Sequence, residues 1–411
     1  MTERKIINDP VFGFINIPKG LLYDIICHPI FQRLSRIKQL GVSSAVYPGA
    51  QHTRFQHSLG AFHLMSEAIT SLTTKGNFIF DSEAEAVQAA ILLHDVGHGP
   101  FSHVLENTIV SGISHEEISL LLMERMNKEM KGQLSLAIQI FKDEYPKRFL
   151  HQLVSGQLDM DRLDYLRRDS FYTGVSEGNI GSARIIKMLN VKDDHLVIES
   201  KGIYSIENFL TSRRLMYWQV YLHKTSVACE KMLNNTLLRA KELASQGVDL
   251  FASPALKYFL YNRIEKEEFH NNPECLDNFI QLDDNDIWTA LKVWSLHEDI
   301  VLSTLSKSLI DRHLFKVEIS TTPLPKGKKN ELLEKIASHL KINKKEANYF
   351  LTTSIIENNM YKKEDDSIEI IYNDGTTQNI ADASDMLNIS LLSRKVKKYY
   401  ICYLRFEESN R

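Results

Sequence analysis

Residues 82–96 constrain the fold more than any other stretch. The run AVQAAILLHDV within them is apolar on most sides of a helix, so this helix must lie buried. It ends on His94-Asp95, and charged groups in an apolar setting are costly unless they are paired or bound to a metal. Gly97, Gly99 and Pro100 stop the helix directly afterwards. The tract GHGPFSH then brings two more histidines, His98 and His103, back beside the first.

Only 10 prolines and 18 glycines punctuate 411 residues, which favours helix along the chain. Residues 1–20 read as extended. Apolar spacing of three to four predicts helices over 21–40, 54–72, 82–96, 115–129, 134–142, 147–155 and 159–170. Ser114 followed by Glu117 is a capping-box signature. A short hairpin is expected over 191–206, turning at Lys201-Gly202, then one long helix over 206–245 and mostly helix over 249–312. The pattern changes near 316: KVEIS reads as a strand and TTPLPKGKK as a linker. A helix over 331–340, a hairpin turning at Asp374-Gly375 and the alternating KKYYICYLRF follow. The expected fold is mainly α, with a helical body over 1–315 and a small α+β C-terminal lobe over 316–411.

Lys and Arg total 49 against 52 Asp and Glu, a net charge of −3. That balance excludes a disordered polyelectrolyte and argues against a nucleic-acid coat protein. The basic tracts KGKKNELLEK and SRKVKK read as solvated faces, so nucleic acid is not an expected partner. Cys27, Cys229, Cys275 and Cys402 form no CxxC pair and are expected to be buried free thiols in a reducing compartment. No signal-peptide pattern opens the chain, and no apolar run reaches the ~18–20 residues of a membrane span. A cytoplasmic protein without a membrane partner is expected.

Seven of the 15 histidines (His52, His57, His63, His94, His98, His103 and His115) fall within residues 52–115. Clustered imidazoles beside carboxylates point to metal ligation or acid–base chemistry. Arg54 and His57 share one helix face. In LDMDRLDYLRRD, Asp161, Tyr165 and Asp169 recur at i, i+4 and i+8, and are expected to face one cleft. His57, His94, Asp95 and Asp161 give the order H…HD…D. Two imidazoles and two carboxylates suit a divalent Fe, Mn, Zn or Mg ion, with positions left for water and phosphate. His63, His151, His195, His270, His297, His313 and His339 read as ordinary core or surface histidines. His52 reads as a loop residue near a triphosphate, Arg213 as a phosphate ligand or a partner of Glu207. Trp218, Trp288 and Trp294 read as core rather than stacking platforms.

Together these tracts resemble the HD-domain phosphohydrolase superfamily, and within it the deoxynucleoside triphosphate triphosphohydrolases of the sterile-alpha-motif/HD-domain kind. KIINDPVFG, HPIFQRLSRIKQLG, YPGAQHTRFQHSLG, LLHDVGHGPFSH, SHEE, DMDRLDYLRRD and the tract ending YLHK carry the likeness, over residues 5–230. No sterile-alpha-motif domain is expected. The resemblance implies an HD core over about 50–170 and a divalent metal held by His57, His94, Asp95 and Asp161. It implies His98, His103 and His115 at the α-phosphate, with His115 paired to Glu106, where the family has the shorter Asp. Arg54, Arg162 and Arg213 would hold the triphosphate, a role suited to the forked guanidinium. Gln39 and Leu40 would lie at the sugar, and Asp169 would join Gln39 on its 3′-OH. Tyr165 would exclude a ribose 2′-OH, and Tyr221 would flank base or sugar. The implied reaction hydrolyses dNTPs, dGTP among them, to deoxynucleoside and tripolyphosphate, with a histidine protonating the leaving 5′-oxygen.

The resemblance also implies a homo-dimer or homo-tetramer with a nucleotide effector between subunits. In the family that effector is a guanine nucleotide, read by an Asp and an Arg. Here those positions are Cys27 and Ser35, while Lys5, Asn8 and Gln32 remain. Losing an acceptor and a forked cation leaves the guanine edge unread, so guanine-specific activation is expected to be absent or altered. The H…HD…D ligands alone leave two other readings open. One is another HD phosphohydrolase acting on nucleoside monophosphates, cyclic nucleotides or alarmones. The other is a nucleotide-binding sensor without turnover.

Overall fold

The computed structural model describes residues 4–101, 103–106, 108–110, 112–358, 367–385 and 396–406, with the side chains of 103, 356–358 and 396 outside the description. The architecture is mainly α. At its centre runs the helix Asp81–Leu93, whose Val87 and the whole run Ala89–Leu93 are sealed from solvent. Against it pack Arg54–Thr74 and Ser135–Phe141, and Arg54–Thr74 packs in turn on Met160–Thr173. The side-by-side placement of Arg54–Thr74, the end of Asp81–Leu93 and Met160–Thr173 positions the site described below.

Local chemistry sets the helix ends. Thr53 opens Arg54–Thr74 with a capping box: its hydroxyl accepts the Gln56 N–H at 3.4 Å, and Gln56 Oε1 accepts the Thr53 N–H at 2.9 Å. Ser114 and Glu117 form the box expected from the sequence at the head of His115–Glu129. Asp159 caps Met160–Thr173 by accepting the Arg162 N–H at 2.7 Å.

The extended N-terminus is an antiparallel hairpin of β1 (Arg4–Asp9) and β2 (Gly13–Pro18), in the register Arg4↔Pro18 to Asp9↔Gly13. A four-stranded sheet joins distant parts of the chain. In it β3 (Leu189–Lys192) pairs antiparallel with β4 (His195–Glu199), and β4 pairs parallel with β7 (Glu369–Ile371). β8 (Thr377–Asn379) closes this sheet. A second sheet has the order β5-β9-β6, from Lys316–Ser320, Val396–Tyr403 and Leu351–Asn358. Residues after 316 thus supply one whole sheet and half of another. Among the described residues, no helix is long and apolar enough to cross a membrane.

Several expectations need correction. The helix over 21–40 breaks into Leu21–Cys27, Pro29–Gln32 and a 3₁₀ turn Arg33–Arg36, because Pro29 cannot continue the first piece. The hairpin near 191–206 turns at Asp193-Asp194, both at positive φ, and Lys201-Gly202 instead leads into the helix Ile203–Met216. The long helix over 206–245 is interrupted by a π turn at Tyr217–Tyr221 before Lys224–Ser245 begins. Cys27 is exposed, while Cys229, Cys275 and Cys402 are buried; all four are free. The basic tract SRKVKK lies partly outside the described residues.

Candidate active site

The end of Asp81–Leu93 brings His94 and Asp95 against the first turns of Arg54–Thr74 and Met160–Thr173. His57 Nε2 lies 3.1 Å from Asp161 Oδ1 and 3.3 Å from His94 Nε2, and His94 Nε2 lies 3.6 Å from Asp161 Oδ1. Asp95 borders the group, with Oδ2 3.7 Å from His57 Nε2 and Oδ1 3.4 Å from His94 Nε2. The four residues of the H…HD…D series therefore meet in space.

The ring nitrogens pointing away are committed. His57 Nδ1 bonds Asp164 Oδ2 at 2.7 Å, and His94 Nδ1 bonds the Ile91 carbonyl at 2.6 Å. Both partners are acceptors, so both Nδ1 atoms carry a proton and both Nε2 atoms face Asp161. With Nε2 deprotonated, as metal ligation requires, three lone-pair donors converge on one point. Ligands about 2.1 Å from a shared ion, at angles of about 90–109°, sit roughly 3.0–3.4 Å apart. Two of the three spacings among His57, His94 and Asp161, 3.1 and 3.3 Å, fall in that range and the third, 3.6 Å, lies just above it, so the donor set fits a divalent cation.

The charges agree with this. Burial alone would lower the His57 pKa, yet Asp161, Asp164 and Asp95 push it up to about 10. Burial opposes ionisation of Asp161, but His57 and His94 outweigh it and hold the carboxyl well below the usual range. Burial likewise opposes ionisation of Asp95, but Arg54, whose Nη1 donates to Asp95 Oδ2 at 2.6 Å, together with His94 and His98 outweighs it. A pocket this rich in carboxylate takes up a positive charge, as a proton or as a cation.

In front of these residues opens a cavity of about 470 Å³, lined by Gln39, Arg54, His94, Asp95, His98, His115, Asp161, Arg162 and Tyr165 among others. His98 Nε2 reaches Asp95 Oδ1 at 3.3 Å, and its ring stacks on His115 at 3.9 Å. Burial and the Arg54 charge push the His98 pKa down to about 3, so this imidazole is neutral. His115 Nδ1 bonds Glu106 Oε1 at 3.0 Å, so the longer carboxylate still reaches. The side chain of His103 lies outside the described residues. A larger cavity of about 840 Å³ opens elsewhere, lined by Arg4, Phe62, His63, Glu67, Lys75 and others; His63 and Glu67 approach to 3.6 Å, but among the described residues no third metal-type donor joins them. The chemistry therefore belongs to the smaller one.

Other expected residues are engaged with neighbouring groups. Arg162 turns its guanidinium onto Asp159 and the Gly156 carbonyl. Arg213 Nη1 donates to Gln157 Oε1 at 3.2 Å, and its charge acts on the Tyr165 hydroxyl. Glu207 does not pair with Arg213; it accepts the Ser384 hydroxyl. Leu40 is half-buried beside Gln39, whose Oε1 is buried without a hydrogen-bond partner. Asp169 does not face the cleft as its i+8 spacing implied. It is buried, with Oδ1 bonded to His52 Nε2 at 2.8 Å and Oδ2 accepting the Tyr221 hydroxyl at 2.7 Å. His52 accordingly touches Asp169, not the triphosphate region. Tyr165 and Tyr221 meet edge to face at 6.0 Å.

Sequence reasoning passed over three residues here. His151, read as ordinary, lines the cavity. Asp159 lines it too, and burial raises its pKa to about 6 against the pull of Arg162. Asp164 holds the first histidine; the available signal was that a ligating histidine needs an acceptor for its other nitrogen.

Comparison with known proteins agrees with this geometry. The HD domain family matches residues 54–168, and the HD associated region matches residues 180–251. The uncharacterized protein YwfO of Bacillus subtilis is 33% identical over 323 residues, 77% of this chain and 72% of its own. The human deoxynucleoside triphosphate triphosphohydrolase SAMHD1 is 29% identical over 308 residues, 64% of this chain; the chain spans 48% of that enzyme. The crystal structure of a phosphohydrolase from Bacteroides thetaiotaomicron superposes with a TM-score of 0.96 at 80% identity, covering 98% of this chain and 100% of the other. The HD domain match over the helical scaffold, together with these relatives, places the chain in the HD-domain phosphohydrolase superfamily.

Proposed function

We propose that this chain is a metal-dependent dNTP triphosphohydrolase, taking dGTP among its substrates and releasing deoxynucleoside and tripolyphosphate. The observation that carries the reading is the shared cavity: three converging metal donors on one wall, with Arg54, Arg162, Tyr165 and Gln39 around them. Relatives named as dNTP triphosphohydrolases support it. The chain is proposed to act in the cytoplasm as a homo-dimer or homo-tetramer, with a helical body over 1–315 and a smaller lobe over 316–411.

In this reading His57, His94, Asp95 and Asp161 hold a divalent ion. That ion supplies Lewis acidity and neutralises phosphate charge when bound. Arg54 stands beside Asp95 with its fork at the α-phosphate, and Arg162 leaves Asp159 for the outer phosphates. Glu106 fixes the His115 ring through Nδ1, and in this reading His115 is the proton donor to the leaving 5′-oxygen while His98 orients the phosphate. Tyr165 sits one helical turn from Asp161, close enough to press on C2′ of a sugar whose α-phosphate lies at the ion. For Asp169 to reach the 3′-OH, Tyr221 must release it; the free Gln39 oxygen needs no such exchange.

Incubation with each of the four dNTPs and four NTPs plus Mn²⁺, with products resolved by chromatography, tests the reading. Deoxynucleoside and tripolyphosphate are expected from the dNTPs, with the NTPs spared. Monophosphate or cyclic-nucleotide turnover in place of dNTP turnover would overturn it. Adding GTP is expected to change the rate little. Cys27 and Ser35 offer no guanine-reading pair, Ser35 donates to the Gln32 carbonyl at 2.6 Å, and Gln32 Nε2 is spent on the Ile26 carbonyl at 2.7 Å.

A pH dependence follows from His57. Its raised pKa means the metal-free site holds a proton that the cation must displace. Apparent Mn²⁺ affinity is therefore expected to rise from about pH 6 to about pH 8 and to fall on acidification, with proton release on binding. Calorimetric titration in buffers of different ionisation enthalpy measures both.

A further inference from the structure

We infer that the N-terminal hairpin belongs to the metal site, with Asp9 acting through Arg168 and Asp164 as a positioning residue for His57. The inference rests on the proposed cation at His57, His94 and Asp161. Arg168 is completely buried and grips a carboxylate with each side of its fork. Nε donates to Asp164 Oδ2 at 2.9 Å and Nη2 to Asp164 Oδ1 at 2.9 Å. Nη1 donates to Asp9 Oδ2 at 2.8 Å and Nη2 to Asp9 Oδ1 at 3.3 Å. Asp164 Oδ2 then accepts the His57 Nδ1 proton at 2.7 Å. Asp9 Oδ1 also accepts the N–H groups of Val11 and Phe12 at 2.9 and 3.0 Å, so the residue that closes the hairpin turn also anchors the chain of charges.

Two features set this apart from an ordinary buried ion pair. Burying charges is costly, and apolar packing of the same volume is often as stable, so stability alone is a weak reason for the arrangement. The triad Asp9–Arg168–Asp164 also sums to one negative charge in a dry interior, directly behind a metal ligand. There it makes the His57 imidazole a stronger donor through Nε2 and fixes its tautomer. Room has been made for it: a Cβ at Gly60 would stand 1.9 Å from Asp164 Oδ1 and 2.1 Å from Arg168 Nη2. Without Asp9, Arg168 would draw on Asp164 alone, and Asp164 would accept less strongly from His57.

Mn²⁺ dissociation constants of the full chain, paired with the melting temperature in EDTA, test this on Asp164→Asn, Asp9→Asn and Asp161→Ala. Asp164→Asn is expected to bind Mn²⁺ roughly 10- to 100-fold more weakly and Asp9→Asn about three- to tenfold more weakly. Wild-type Mn²⁺ affinity in a folded Asp9→Asn chain, or a lowered melting temperature with unchanged affinity, would overturn the inference. Should Asp164→Asn not fold, Asp9→Asn decides alone, since it swaps one oxygen for a nitrogen at the hairpin; Asp9→Glu stands in if it too is insoluble. Retention of Mn²⁺ by Asp161→Ala would instead overturn the cation site itself, which keeps the two failures apart.

Discussion

Asp161→Ala is expected to abolish turnover, by at least ~1000-fold or about 4 kcal/mol of transition-state stabilisation, and to empty the metal site while leaving the fold intact. The residue stands in the first turn of Met160–Thr173, and its Oδ1 lies 3.1 and 3.6 Å from the two histidine Nε2 atoms. Its side chain is about a quarter exposed, at 28%, so truncation leaves no sealed cavity. The helix keeps its cap, because Asp159 and not Asp161 bonds the Arg162 N–H. Asp95 does not replace it, because it is already one of the four proposed ligands and its Oδ2 is tied to Arg54. Metal content by mass spectrometry, turnover with Mn²⁺ and the melting temperature in EDTA together check the outcome. A variant that keeps both metal and activity would remove Asp161 from the ligand set.

The sequence made the clustered His and Asp residues of the site legible because their chemistry is local. An apolar helix cannot end on His94-Asp95 without a reason, and the capping box at Ser114 fixes where the helix His115–Glu129 starts. What stayed hidden depends on partners far along the chain. Asp161, Asp164 and Asp169 look alike in LDMDRLDYLRRD, yet they meet respectively the metal donors, Arg168 with His57, and His52 with Tyr221. Helical spacing orders them around an axis but does not say what packs on each side. Arg33 is a similar case. Nothing in the apolar spacing over 21–40 marks it, yet it lies fully buried, donating to the carbonyls of Val96 at 3.2 Å and Leu282 at 3.0 Å. It therefore ties the turn after Asp95 to the far end of the body. The break at Tyr217–Tyr221 escaped notice because no proline or glycine marks it; Tyr47 donates to the Gln219 carbonyl there at 2.5 Å, a tertiary contact.

Gly97→Ala is expected to damage both stability and the site. In the sequence Gly97 reads as a helix breaker, but its role in the structure is close packing. An added Cβ would lie 2.1 Å from the His115 carbonyl oxygen and 2.3 Å from the Ser119 backbone nitrogen. Both atoms are backbone of the helix His115–Glu129, so no rotamer change relieves the clash; the helix must move. Gly97 N–H donates to Ser119 Oγ at 2.9 Å, and that hydroxyl donates to the His94 carbonyl at 2.9 Å. Displacing the helix therefore breaks the clamp on the His94–Gly97 turn and shifts His115 away from His98. Overpacking of this kind costs about 1–3 kcal/mol, and rigid backbone on the opposing side puts this case at or above ~3 kcal/mol. Gly181→Ala is the control, because its nearest neighbour, Arg184 Cβ, would be 4.0 Å away. Differential scanning calorimetry should show a clear fall in melting temperature for Gly97→Ala alone, with weakened Mn²⁺ binding in whatever folds. A Gly97→Ala chain that melts and binds metal like the parent would mean that the turn and the helix can separate without cost, and that the contact does not hold the histidines in register.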